Sequence, residues 1–189
     1  MSGHGDHPGG GSRAARRSRR LRRIPLPVRG AAYYVCFLAF LLVLLPWVAH
    51  RLAERLAPWR LELGRGRAAG WVMLAAGWLL YTIASVVLMR RGGGAYVEFD
   101  PPQRFVTAGP YRWCRNPIAA CVLAMLLGEA LAFSSLGILL LALAAALLAH
   151  LQIVLLEEPL LRKRFGQAYL DYLARVPRWI PRPPRGAPP

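Results

Sequence analysis

Residues 118–156, IAACVLAMLLGEALAFSSLGILLLALAAALLAHLQIVLL, are apolar almost throughout, interrupted only by Glu129, two serines, His150 and Gln152. As one helix this run would measure roughly 58 Å at 1.5 Å per residue, against about 30 Å of hydrocarbon in a bilayer. It therefore predicts a helical hairpin with segments over 118–133 and 136–156. The bend falls at Phe133-Ser134-Ser135-Leu136-Gly137, where small polar residues break the apolar character. Upstream, residues 31–49 and 68–89 contain no charged side chain, and each has the length of a membrane-crossing helix. The fold class is all-α and integral to a membrane: about four transmembrane helices, the last two a helical hairpin, or two crossings followed by a re-entrant hairpin.

The chain combines 56% hydrophobic residues with a formal charge of +16, a mixture that a soluble globule seldom shows. The two properties are segregated. Of 25 Lys and Arg, all but Arg51, Arg55, Arg60, Arg65 and Arg67 fall in three stretches, 13–29, 90–115 and 162–185. Four crossings bring those stretches to one face, and the positive-inside rule makes that face cytoplasmic, together with both termini. The five remaining arginines, spaced with Leu52, Leu56 and Trp59, predict a short helix lying on the opposite surface with its guanidinium groups at the headgroups. Residues 1–30 are Gly, Ser and Arg-rich without an apolar period and read as a basic, disordered arm. Juxtamembrane arginines of this kind set topology or meet anionic lipid, so membrane lipids and not nucleic acid are the expected partners. No cleaved signal sequence is expected, because the first apolar run is long and begins late.

Cys36, Cys114 and Cys121 are too scattered for a disulfide framework or a zinc site, and no metal is expected. Polar chemistry concentrates instead at the edges of the long apolar run. On one side the site loop 90–117 ends in Arg115-Asn116-Pro117; on the other stand Glu157-Glu158. Asn116 and Pro117 form a helix start, with Asn116 predicted to cap free N–H groups and Pro117 suited to the first helical position. The same start presents a positive helix end to an anionic group. Pro159 predicts a new helix over 160–173, with Leu161, Phe165, Tyr169, Tyr172 and Leu173 near one stripe, lying in the interface. Within the apolar run, Glu129 sits close to the bend and reads as a headgroup-level or neutral carboxyl. His150 and Gln152, two turns before Glu157, are candidates for lining a cytoplasmic cavity.

Several motifs in order resemble those of the isoprenylcysteine carboxyl methyltransferase-like membrane methyltransferases, which are related to the phospholipid N-methyltransferases. They are Phe105-Val106-Thr107-Ala108-Gly109-Pro110-Tyr111, Arg115-Asn116-Pro117, Glu157-Glu158, Phe165-Gly166-Gln167-Ala168-Tyr169-Leu170-Asp171-Tyr172 and Val176-Pro177-Arg178-Trp179-Ile180-Pro181. They cover roughly the C-terminal half of the chain. The resemblance implies a membrane methyltransferase domain over 31–189, ending in an interfacial helix and Pro-rich tail over 157–189. It further implies S-adenosylmethionine as cofactor, bound on the cytoplasmic side at Gln103, Arg104, Phe105, Val106, Tyr111, Asn116, Pro117, Ile118, Ala119 and Glu157, and a lipophilic methyl acceptor. Arg115 and Glu158 are the candidates for a catalytic role.

Three positions depart from the pattern. Asn116 replaces the commoner His, Ala119 replaces a Tyr, and Ile153 stands where the prenylcysteine enzymes carry an Arg for the carboxylate of their substrate. These departures keep a phospholipid amine or a small molecule open as acceptor. A non-catalytic lipid-binding or partner-binding protein with a decayed site is a second class. A transporter is disfavoured, because the first two apolar segments carry almost no polar residue at mid-membrane depth.

Overall fold

The structure is a computed structural model, and it describes residues 25–56, 63–93 and 102–183. Helix α1 begins with Leu26–Ala39, passes through a π-helical turn, Phe40–Leu44, and continues as Leu45–Leu56. Helix α2 is Gly66–Gly92 and α3 is Pro117–Ala132. Helix α4 spans Leu136–Phe165: an α-helical segment Leu136–Gln152, a second π-helical turn Ile153–Glu157, and Glu158–Phe165. Helix α5, Gln167–Arg175, closes the series, and a short 3-10 turn, Gly109–Arg112, lies in the loop before α3. Helices α1, α2 and α4 are long and apolar enough to cross a membrane, and α3 is a shorter apolar helix that completes the bundle. The protein is an all-α integral membrane protein.

Lipid offers an apolar side chain nothing that a neighbouring helix does not, so close backbone approach has to hold the bundle. Glycines provide it between α2 and α3, the most extensive contact in the fold. A Cβ on Gly70 would lie 2.5 Å from both the Ala132 nitrogen and the Gly128 oxygen, and one on Gly77 would lie 2.6 Å from Met125 Cγ. Tyr81, Met125 and Leu126 are the largest fully enclosed side chains and form the core that this approach seals. Around it the outer faces of α1, α2 and α4 display Phe40, Trp78 and Leu147 among many exposed apolar residues, as lipid-facing surfaces do. Gly137 performs the same task between α4 and α1, where a side chain would strike the Ala49 carbonyl.

Both π turns precede a proline. Leu45 donates to the Phe40 carbonyl and Glu158 to the Ile153 carbonyl, five residues back, and the next residues are Pro46 and Pro159. A proline inside a helix removes one N–H and crowds the carbonyl four residues before it; a widened turn accommodates both effects without ending the helix. That is why Pro159 does not start a new helix over 160–173. Helix α4 runs on to Phe165, and the break comes at Gly166, whose φ of 54° and ψ of −130° suit a residue without a Cβ.

Other expectations change as well. Residues 26–30, assigned to the basic arm, are already helical, with Pro27 in the first turn and Gly30 packed on Met89; residues 1–24 lie outside the described ones. Arg51 and Arg55 belong to the continuation of α1 and not to a separate surface helix, because Ala49 and Ala53 hold that segment against Gly137 of α4. Arg60 and Trp59 lie outside the described residues. The bend at 133–137 forms as expected: Ser134 takes a φ of 50°, and Ser135 caps α4 by accepting from the Ile138 N–H at 3.3 Å. Glu129 is only 5% exposed and points into the bundle, not toward headgroups. Desolvating an ionised carboxylate there would be costly, so a protonated carboxyl fits the position.

Candidate functional site

The antiparallel order of helices places the end of α2, the start of α3 and the π turn of α4 at the same end of the bundle. The loop from α2 is tied back at once, with the Gln103 and Arg104 N–H groups donating to the Gly92 carbonyl at 2.7 and 3.0 Å. Val106 then buries against Ala84 and Tyr111, with Val87, Leu88 and Ile118 packed around them. This cluster seats Tyr111 beside the first turn of α3. The Tyr111 side chain is 7% exposed, and its hydroxyl has no hydrogen-bond partner among the described residues. Burial, reinforced by the nearby Tyr172 and Glu157, holds its phenol well above the usual pKa, so it is a donor that faces no acceptor among the described residues.

Phe105 stands apart from that cluster. Its ring meets Phe165, Tyr169 and Tyr172 with centroid separations of 5.0, 5.7 and 5.2 Å, which pins α5 over the loop. Tyr172 adds a buried bond from its hydroxyl to the Tyr111 carbonyl at 2.6 Å.

Helix α3 starts at Pro117, but the Asn116 side chain does not cap it. Its amide Nδ2 donates instead to the Arg178 carbonyl at 3.3 Å, drawn there by the chain after α5. The expectation of a side-chain cap is therefore incorrect. The first-turn N–H groups of α3, those of Ile118 and Ala119, are left without a side-chain partner, as an anion-accepting helix start would be.

The two glutamates separate sharply. Glu157 is exposed at the end of the π turn. Glu158, one residue on, is 4% exposed and receives Arg178 Nε at 2.7 Å on Oε1, Arg178 NH2 at 3.1 Å on Oε2, and Arg115 NH1 at 3.1 Å on Oε1. The forked approach of Arg178 is the strong geometry for a carboxylate, and the bond raises the pKa of its guanidinium. Arg162 approaches Glu158 Oε2 more loosely, at 3.9 Å. Arg115 and Glu158, the residues considered for catalysis, thus point at each other. The Arg115 Nε is buried with no partner among the described residues.

The segment after α5 lies along the site loop. The Arg115 N–H donates to the Pro177 carbonyl at 2.8 Å and the Arg182 N–H to the Trp113 carbonyl at 3.0 Å. Cys114 Sγ lies 3.2 and 3.3 Å from the carbonyls of Arg178 and Trp179, and burial raises the pKa of its thiol. Cys114 is thus a packing and hydrogen-bonding residue. His150 receives the Trp179 indole N–H at 3.2 Å, while Gln152 is exposed. Sequence reasoning missed Arg178 as the partner of Glu158. The signal was one of three arginines in a Pro-rich stretch, and nothing in that stretch says which of them meets a carboxylate.

Fold and site together define an integral membrane protein whose polar groups gather at one bilayer edge, beside a helix start and a pair of carboxylates with opposite environments. Sequence comparison supplies the particular family. A profile of the phospholipid methyltransferase family matches residues 66–168, more than half of the chain, and the chain belongs to that family. The family falls within the isoprenylcysteine carboxyl methyltransferase-like group, and the protein is a membrane methyltransferase. No curated protein matches the chain.

Proposed function

We propose that this protein transfers a methyl group from S-adenosylmethionine to a lipophilic acceptor at the cytoplasmic edge of a membrane. The observation that carries the reading is the family match over 66–168, which spans the Tyr111 loop, the start of α3 and Glu157. The groups there suit the cofactor. Glu157 is a free carboxylate for an amine or a ribose hydroxyl, the uncapped start of α3 accepts a carboxylate, and Tyr111 is a buried donor in search of an acceptor. When bound, S-adenosylmethionine supplies an electrophilic methyl on a sulfonium. The chain's own part is to hold the acceptor lone pair in line and to exclude water. The apolar cluster of Val106, Tyr111 and Ile118 serves the second task. Arg115 and Glu158 maintain the shape of the loop and do not touch reacting atoms.

Ile153 bears on the acceptor. It is 4% exposed, in the π turn one helical turn before Glu157, and offers only apolar contact. A carboxylate acceptor would find no guanidinium fork there. A membrane lipid amine or a small lipophilic molecule is the proposed acceptor, and a farnesylcysteine analogue should be methylated poorly. The test is methyl transfer from labelled S-adenosylmethionine, by detergent-solubilised protein, into a membrane-lipid extract and separately into farnesylcysteine. Label in the lipid fraction supports the proposal; label in farnesylcysteine alone overturns the choice of acceptor.

The site end of the bundle and both termini are proposed to be cytoplasmic, supported by the concentration of Lys and Arg in 13–29, 90–115 and 162–185. Reporter fusions at either terminus that are active only on the exterior would reverse that orientation.

A further inference from the structure

We propose that Arg178 and Glu158 are positioning residues for cofactor binding, acting through residues 176–183 as a latch over the start of α3. This rests on the cofactor reading above. The latch lies beyond the residues matched to the family, 66–168, and it takes no part in the chemistry just described.

Every residue from Trp113 to Asn116 is bonded to it. Backbone bonds join Arg115 to Pro177 and Arg182 to Trp113, the Cys114 thiol meets the Arg178 and Trp179 carbonyls, and the Asn116 amide shares the Arg178 carbonyl with it. Two anchors reach α4: the forked pair of Arg178 with Glu158, and Trp179 with His150. The consequence for the site lies at Asn116. An asparagine directly before a helix ordinarily turns its side chain onto the N–H groups of the first turn. Here the Arg178 carbonyl holds the Asn116 amide away, so α3 begins uncapped next to the unpartnered Tyr111 hydroxyl. Releasing the latch frees Asn116 to occupy the same N–H groups that an anionic part of the cofactor would use. Latch closure and cofactor binding therefore favour one another, and such coupling is reciprocal.

Reciprocity gives a readout that a merely structural segment would not provide. In the unaltered detergent-solubilised protein, saturating S-adenosylmethionine should slow hydrogen exchange at the Arg115 and Arg182 amides roughly tenfold, because both amides bond across the latch. In Arg178→Gln the dissociation constant for S-adenosylmethionine should rise about tenfold or more while the KM of the acceptor stays within about twofold, and Arg178→Lys, which keeps charge without the fork, should fall between. Binding by the unaltered protein with no change in exchange at either amide overturns the latch alone, and this arm decides even if Arg178→Gln does not fold. Unchanged cofactor affinity in a folded Arg178→Gln protein also overturns it. No binding by the unaltered protein overturns the cofactor reading, and the latch with it.

Discussion

At the end of the bundle away from the candidate site, a local turn reverses the chain, and two side-chain bonds from distant residues then fasten it. Ser134 and Ser135 turn α3 into α4, Ser135 caps the helix that follows it, and the Arg67 Nε bonds the Ala132 carbonyl at 3.0 Å where α3 ends. His50 completes that end with a 2.8 Å bond to Ser135 Oγ. At the site end almost every stabilising bond joins segments far apart in sequence, and most involve a side chain: Arg115 to Glu158, Glu158 to Arg178, Tyr172 to Tyr111. One end is built around a local turn, so its bend carries a simple sequence signal. The other depends on particular side chains meeting, and a single substitution can open it.

Glu158→Ala should break the contrast most severely. It removes a buried carboxylate that receives two arginines directly and strands the less exposed of them, Arg115. Loss of one partner from a buried pair costs about 3–5 kcal/mol, and the partial exposure of Arg178 argues for the lower end. Thermal melting in detergent should fall, and protease should cut first in residues 166–183. Melting equal to the parent would mean that the cluster contributes nothing to closing this end.

Gly128→Ala probes the bundle between the two ends. The new methyl would lie 2.8 Å from the Gly70 oxygen and 2.9 Å from the Leu74 nitrogen, so α2 and α3 must separate, at a cost of about 1–3 kcal/mol. Melting should drop without selective proteolysis at the site end. Tyr172→Phe is gentler: it leaves the aromatic cluster intact but strips the Tyr111 carbonyl of its buried donor, costing about 1–2 kcal/mol. Ser135→Ala should be the mildest, about 1 kcal/mol for the lost cap and the part-buried His50 bond together, with cofactor affinity unaltered because the change lies at the far end. A large loss of cofactor affinity in Ser135→Ala would erase the distinction between the ends.

How far the sequence could be read follows the same division. Membrane spans and the hairpin bend are legible because hydropathy and helix length are summed properties, insensitive to any one side chain. The helix start at Pro117 is legible too, since proline fixes its own backbone. The fate of Asn116 is not, because a cap and a bond to a distant carbonyl require the same side chain, and the choice depends on where Arg178 arrives. Likewise Glu157-Glu158 reads as a pair, yet the helix turns about 100° between them and sends one into an arginine cluster and leaves the other outside it. Pro159 misleads for a related reason: a proline signals a helix end unless the preceding turn widens, and the widening at Ile153–Glu157 has no sequence mark of its own.

The central claim is that cofactor binds where α3 begins and α4 widens, with Glu157 as a direct contact. Equilibrium binding of S-adenosylmethionine to the detergent-solubilised parent and to Glu157→Gln tests it most directly. Glu157 is exposed and carries no part of the Glu158 cluster, so the variant should melt at the parent's temperature. Loss of a charged hydrogen-bond partner should nevertheless weaken binding roughly tenfold or more. A Glu157→Gln protein that binds S-adenosylmethionine as tightly as the parent would contradict the account.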